Sequence, residues 1–309
     1  MLHYRTIDTQ EEPVEWVNIV SLSNEDKKIL NEKHDLSYEF LEYAIDLDEH
    51  ARVEEDNDNM ARLLSFDVPY FDTPANSYTT RPVVFIIKDT TMYTFVDDER
   101  DYSQINHLLN RSVQNGVYLS MYHMIFSILY NFSMMYHEKL RVLHKERDNI
   151  EKAFRTNADN KEIYRLMNVE KGLVYLLTSL RSNKIALNTL RRRWGYGATA
   201  FSDGEAEKIE DVLVELSQAI EVSEINMMLI EKEKSTYSTI IDNNLNATMR
   251  SLTIITALLT IPSIVFGFFG VNTRIPFQDD PFGWIYTIII ALVLVVGTAY
   301  AFWKMKLVK

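Results

Sequence analysis

Residues 252–271 read LTIITALLTIPSIVFGFFGV, twenty positions without a formal charge, and residue 272 that closes them is an asparagine. A second uncharged run of twenty, Trp284 to Trp303, follows after a short polar stretch. At 1.5 Å per residue each run spans about 30 Å as a helix, the thickness of a bilayer's hydrocarbon core. Two consecutive runs of this kind predict two membrane spans. The first is expected over 252–271, an outer loop over 272–283 and the second over 284–303, with a basic tail over 304–309. Lys232, Lys234 and Arg250 precede the first span, and Lys304, Lys306 and Lys309 follow the second. The loop carries Arg274 beside Asp279 and Asp280. By the positive-inside bias both termini face the cytoplasm, in a plasma or inner membrane crossed twice. Trp284 and Trp303 stand where interfacial aromatics are expected.

The rest of the chain narrows the function. A net charge of −12 argues against nucleic acid as partner and favours cations. Cysteine is absent, which removes disulfides, thiolate metal sites and a Cys nucleophile. The N-terminal stretch MLHYRTIDTQEEPVEW has no apolar core of a signal peptide, so the first 245 residues are expected in the cytosol. Three glycines, Gly195, Gly197 and Gly204, do not have phosphate-loop spacing, and no His-Glu-x-x-His pattern exists. His137 and His144 share a helix face and read as satisfied or surface histidines. No nucleophile, base or metal-ligand constellation stands out, so no enzymatic activity and no cofactor are expected.

Residues 1–102 predict a mixed α/β domain. EWVNIV, RLLSFDVPYF, PVVFIIK and TMYTFV are strand-like runs, and Ser23 with Asp26 forms a helix-start pattern. The acidic segment DLDEHARVEEDND (46–58) reads as a solvated loop or helix end, with a cation site as the sharper option. Residues 103–200 predict a helical arm whose Met- and aromatic-rich segment 121–140 is core. Its part from 137 to 193 carries fourteen basic residues against seven acidic ones, a basic stretch in an acidic protein. GYGATAFSDG (195–204) reads as a turn, and Ser202 with Glu205 as a capping box opening the next helix.

That next helix has no proline or glycine between Gly204 and Pro262. Ile209, Val212, Leu213, Leu216, Ile220, Met227, Ile230, Tyr237 and Ile241 recur at the spacing of a packed face. The segment 201–271 is therefore expected as one stalk helix running into the first span, about 96 Å from Glu205 to Phe268. On a helical wheel of about 100° per residue, Asn246, Thr253, Thr256, Thr260, Ser263, Gly267 and Gly270 fall within about 60° of Met249. The rest of the circumference holds Ile254, Ile255, Leu258, Ile261, Ile264, Val265, Phe268 and Phe269. Two readings compete for this small, hydroxylated stripe: close helix packing in the bilayer, or the wall of a wet axis shared by several copies.

NATMRSLTIITALLTIPSIVFGFFGVN, followed by a short outer loop, a second span and a basic tail, resembles the CorA family of two-span divalent-cation transporters. The order of the remaining segments resembles it over the whole chain. The resemblance implies a homopentameric funnel with an α/β/α sandwich-like cytosolic domain and a pore lined by the first span. It assigns Asn272 to an outer selectivity ring, with Gly270 and Val271 before it. It also assigns Asn246, Met249 and Leu252 to pore positions near the cytosolic membrane face, and the stripe Thr253, Thr256, Thr260, Ser263 and Gly267 to the remaining wall. Val271 stands where the family's Gly-Met-Asn signature has Met, the acidic residue usual after the motif is missing, and Pro262 sits one residue closer to the Asn.

The chemistry expected of such a path follows. Hydrated Mg²⁺ sheds water reluctantly, and a ring of Asn carbonyls accepts hydrogen bonds from its waters without stripping them. The other reading of Asn272 is a simple helix C-cap. Met249 and Leu252 suit a hydrophobic gate closing by dewetting, or ordinary packing. From Asp203 to Glu231 there are nine acidic residues against Lys208 alone. Glu207, Asp211 and Glu215 are the candidate regulatory carboxylates, binding intracellular divalent ions between subunits. The alternative is a solvated helix face. Expected cargo is Mg²⁺, with Co²⁺ or Ni²⁺ next. A zinc transporter of the same superfamily is one alternative, and a non-conducting membrane-anchored sensor or scaffold is another.

Overall fold

A computed structural model describes residues 2–46, 50–96, 103–156, 160–195, 200–271, 276–277 and 280–305. Two compact units divide it, Met1–Glu233 and Lys234–Lys309.

The first unit is built on one six-stranded sheet of β1 (Leu2–Ile7), β2 (Val14–Val20), β3 (Arg52–Asp56), β4 (Ala61–Asp72), β5 (Ser77–Lys88) and β6 (Thr91–Val96). Their order across the sheet is β1-β2-β6-β5-β4-β3. Only β2 and β6 run parallel; every other neighbouring pair is antiparallel. The chain makes the β2-to-β6 crossover through α1 (Asn24–His34), α2 (Tyr38–Tyr43) and the β3–β5 meander. Ser23 and Asp26 close a reciprocal capping box at the start of α1. Ser37 accepts the Phe40 N–H at the start of α2.

Both faces of the sheet are covered, which is why β4 and β5 read as long apolar runs rather than as alternating ones. On one face Val17, Ile19, Leu63, Val84, Ile86 and Phe95 pack with Leu30, Leu36, Phe40 and Leu41 of the two short helices and their connection. The opposite face receives three further helices, α3 (Ser103–Asn115), α4 (Met121–Thr156) and α5 (Asn160–Trp194). There Phe66 stacks on Phe132 with ring centroids 6.3 Å apart. On this face Trp16 donates to Thr94 Oγ1 at 2.9 Å, Thr94 donates to Asn18 at 2.9 Å, and Asn18 donates to Asn106 of α3 at 3.1 Å. Each polar side chain in this Trp16–Thr94–Asn18–Asn106 relay has a partner, so its burial is tolerated.

Two prolines sit inside long strands at places where a donor is not needed. Pro82 precedes the stretch of β5 that pairs with β6, which begins at Val84, and Pro69 lies beyond the stretch of β4 that pairs with β3, which ends at Ser65. Each therefore stands on a local edge.

The acidic segment differs from its expected loop. Arg52–Asp56 is a strand, paired with Ala61–Ser65 and burying Val53. A tight turn follows, in which the Asp56 carboxylate accepts the N–H groups of Asp58 (3.1 Å) and Asn59 (3.2 Å). These bonds and the Asn59 side chain hold the Asp56 carboxyl below its usual range against the effect of burial, the largest single influence. Residues 47–49 lie outside the described residues. The Met- and aromatic-rich part of α4 is core as expected, with Met124, Phe126, Leu129, Phe132 and Tyr136 fully buried.

The last two helices are α6 (Asp203–Phe269), 67 residues without interruption, and α7 (Gly283–Lys304). At the start of α6 Glu205 is buried and takes hydrogen bonds from the Ser202 N–H (2.7 Å), the Ser202 hydroxyl (2.9 Å) and the hydroxyl of Ser120, just ahead of α4. Within the first unit Ile209, Val212, Leu216, Ala219 and Ile230 are buried along one side of α6. The acidic helix is tied to its basic neighbours by Arg191–Glu210 and Arg181–Glu224, both 2.6 Å. These ties are exposed and contribute at most about 1 kcal/mol each. The apolar side holds the helix in place.

Candidate ion path

In the second unit, α6 and α7 each contain a stretch long and apolar enough to cross a membrane. Their burial pattern sorts the faces of the first span. Ile254, Ala257, Leu258, Ile261 and Phe269 are partly buried and Val265 is buried, all on one side of the helix. On α7 the positions away from solvent are Gly283, Ile285, Thr287, Ile290, Ala291, Val295, Thr298, Ala299 and Phe302. The side of α6 that α7 shields thus lies about 150° around the axis from Met249.

The hydroxylated stripe is on the uncovered side. Asn246, Met249, Leu252, Thr253, Thr256, Thr260, Ser263, Gly267 and Gly270 are all exposed in the protomer. Packing of α7 on α6 therefore does not use the small residues of the stripe. An added Cβ at Gly267 would meet nothing within 4 Å. Gly270 closes the helix by donating its N–H to the Phe266 carbonyl at 2.8 Å. Val271 is exposed, and Asn272 lies outside the described residues, as do Arg274, Asp279 and the lysines at 306 and 309. Asp280 accepts the Phe282 N–H at 2.9 Å, ahead of α7.

Three of the stripe's hydroxyl protons are spent on the helix's own backbone. Thr253 donates to the Met249 carbonyl (2.9 Å), Thr260 to Thr256 (2.7 Å) and Ser263 to Leu259 (3.2 Å). What faces outward from these three residues is oxygen with lone pairs to offer. Pro262 lies within the same helix, which runs on to Phe269.

One residue on this line escaped the sequence reading. Asp242 falls about 20° from Met249, two turns toward the N-terminus. It is exposed and makes no ion pair or hydrogen bond among the described residues. Projecting the wheel a few residues upstream of the apolar span would have found it.

The candidate regulatory carboxylates sit on α6 in the first unit, and they do not converge within a protomer. Glu207 is exposed, Asp211 lies 3.4 Å from Lys208, and Glu215 lies 3.0 Å from His137 of α4. Among the described residues no group of three His, Asp or Glu side chains is placed to hold a metal ion. His144 likewise contacts Asn226 and Asp148 rather than a metal site.

The family model described as CorA-like Mg2+ transporter protein matches residues 11–306. The chain belongs to the CorA family. The cobalt/magnesium transport protein CorA of Methanocaldococcus jannaschii is 22% identical over 294 residues, covering 93% of this chain and 89% of that protein. The complete structure of the CorA magnesium transporter from the same organism superposes with a TM-score of 0.79 at 22% identity, covering 96% of this chain and 92% of that one. The full-length CmaX protein superposes with a TM-score of 0.71 at 17% identity, covering 97% and 89%. At these identities the structural likeness is one of fold: an N-terminal α/β domain, a long helix and a C-terminal apolar helix. The CorA-family chain is thus a membrane transporter of divalent cations by family membership.

Proposed function

We propose that several copies of this chain, five by the family resemblance, surround a shared aqueous axis lined by the first span, and that hydrated Mg²⁺ is the principal cargo, with Co²⁺ or Ni²⁺ accepted. The assembly would sit in the plasma membrane with both termini inside. The observation that carries the reading is the placement of faces: α7 shields the apolar side of α6 and leaves the line from Asn246 to Gly270 free. An uncovered polar line in a membrane helix needs either another helix or water beside it.

On this reading Asn272, after Gly270 and Val271, receives the ion with its water shell intact. Its amide oxygen accepts hydrogen bonds from first-shell waters and carries no charge to retain the ion. Below it the outward oxygens of Thr260, Ser263 and Thr253 serve the same waters in turn, with Thr256 and Gly267 completing the wall. Met249 and Leu252 form the apolar constriction, where a dry gap blocks a hydrated ion without touching it. Asn246 and Asp242 then meet the ion on the cytosolic side, where a ring of carboxylates concentrates cations. Regulation would come from intracellular divalent ions held by Glu207, Asp211 or Glu215 together with carboxylates of a neighbouring subunit, which restrains the closed state.

Flux of Mg²⁺, Co²⁺, Ni²⁺ and Zn²⁺ into proteoliposomes, in the parent and Asn272→Ala, tests the proposal. Mg²⁺ entry lost in the variant is expected. Zn²⁺ movement without a Mg²⁺ response would make the chain a zinc transporter. No flux of any ion in the parent would make it a sensor or scaffold.

A further inference from the structure

Farther along the docked side of α6 lie the buried polar residues Ser223 and Asn226, and a buried cation of α4 meets them there. Arg147 of α4 is 7% exposed. Its Nη1 donates to Asn226 Oδ1 at 3.0 Å, its Nη2 to Asp148 at 2.8 Å, and its Nε lies 3.6 Å from Glu233 Oε1. His144, nearly one turn earlier, brings Nδ1 to 3.2 Å from the same Asn226 oxygen and Nε2 to 3.6 Å from Asp148. The Glu233 side chain is 19% exposed. Its pairing with Arg147 is only half made. At 3.6 Å the charges attract but no hydrogen bond forms, and Arg147 Nε and Glu233 Oε2 are both buried without a hydrogen-bond partner. Such groups keep their desolvation cost without the usual compensation.

We propose that Glu233 and Arg147 form a pH-responsive latch on the α4–α6 contact: α6 is held firmly on α4 while Glu233 is protonated, and its residues 222–233 loosen as Glu233 ionises. The charge balance around the site supports this. Arg147, Asp148, Glu151 and His144 of α4 face Glu233, and Lys232 and Lys234 flank it in sequence. Arg147 gives its shorter bond to Asp148, so an ionised Glu233 shares one cation with a better-placed competitor. A buried ion pair with incomplete hydrogen bonding does not recover its desolvation cost.

Burial pushes the Glu233 carboxyl above the ordinary range. Glu151 and Asp148 add to the rise, and the pull of Arg147 and His144 in the other direction does not overcome it. A group whose pKa is raised in the docked state favours that state when protonated. The benefit is full at low pH and is lost as pH rises through the raised value. Residue 233 belongs to the same uninterrupted helix that carries the first span, so loosening here acts on the element that lines the proposed path.

Hydrogen exchange of the full-length protein in detergent micelles, followed from about pH 4 to about pH 8 so that the ordinary carboxyl range is included, and corrected for intrinsic rates, tests the latch. In the parent, protection of amides 222–233 should fall with rising pH, by up to about tenfold per pH unit. Glu233→Gln, which keeps the shape of the neutral acid, should hold the low-pH protection throughout. Glu151→Gln removes a like charge and should move the transition to lower pH, whereas His144→Gln should leave a transition in place. Parent-like pH dependence in Glu233→Gln, an unmoved transition in Glu151→Gln, or its disappearance in His144→Gln would each overturn the proposal. These outcomes do not depend on whether the protein conducts.

Discussion

Asn183 of α5 reads the backbone of Asp67 in β4 as a complementary amide. Its Oδ1 accepts the Asp67 N–H at 2.8 Å and its Nδ2 donates to the Asp67 carbonyl at 2.9 Å. Tyr136 of α4 donates its hydroxyl to the same carbonyl at 2.9 Å, and burial with the nearby Asp67 charge pushes that phenol well above its usual pKa, leaving it a permanent donor. Two helices are thereby pinned to the backbone of one residue of the sheet. Replacing Asn183 by Leu should strand the Asp67 N–H, because Tyr136 can replace only the donor. A loss of about 1–3 kcal/mol is expected, read as a lower unfolding midpoint of the purified protein.

Asn272→Ala should abolish Mg²⁺ entry into proteoliposomes while leaving assembly and membrane insertion intact. Asn272→Asp should bind the ion more tightly and slow its passage, seen as lower maximal flux with stronger retention. A variant that transports like the parent would remove Asn272 from the path.

Leu252→Ser, and separately Met249→Ser, should raise Mg²⁺ uptake at high internal Mg²⁺, when the proposed regulation would hold the parent closed. Both side chains are more than half exposed in the protomer, so neither change empties a packed core. If uptake stays at the closed level, the constriction lies elsewhere.

Asp242→Asn should reduce flux most strongly at low ionic strength, and the difference should shrink as added salt screens the lost charge within about 10 Å at 0.1 M. An effect independent of salt would mean that the residue acts through helix packing rather than through its field.

Most of the fold was legible because burial imposes simple periods. The charge-free runs announced the two spans. The absence of breakers between Gly204 and Pro262 announced a single helix, which runs from Asp203 to Phe269. Strand β3 was hidden because Arg52, Glu54, Glu55 and Asp56 look solvated; only Val53 among 52–56 is buried, and the pairing with β4 supplies the rest. The stripe around Met249 shows on a wheel, but which side α7 would shield does not, since both spans are greasy. Asn183 and Arg147 were invisible for a different reason. Each acts across a long sequence separation on a partner that no spacing rule marks, Asp67 for one and Asn226 with Glu233 for the other.

The back-bonded hydroxyls of Thr253, Thr260 and Ser263 have one more consequence. A chloride ion entering such a corridor would need N–H or O–H groups aimed at it, and these three residues have none to spare. At these three positions the wall would thus disfavour an anion without bearing a formal charge. Swapping the stripe's threonines for asparagines, whose amides donate freely, would erode that discrimination before it blocked the passage.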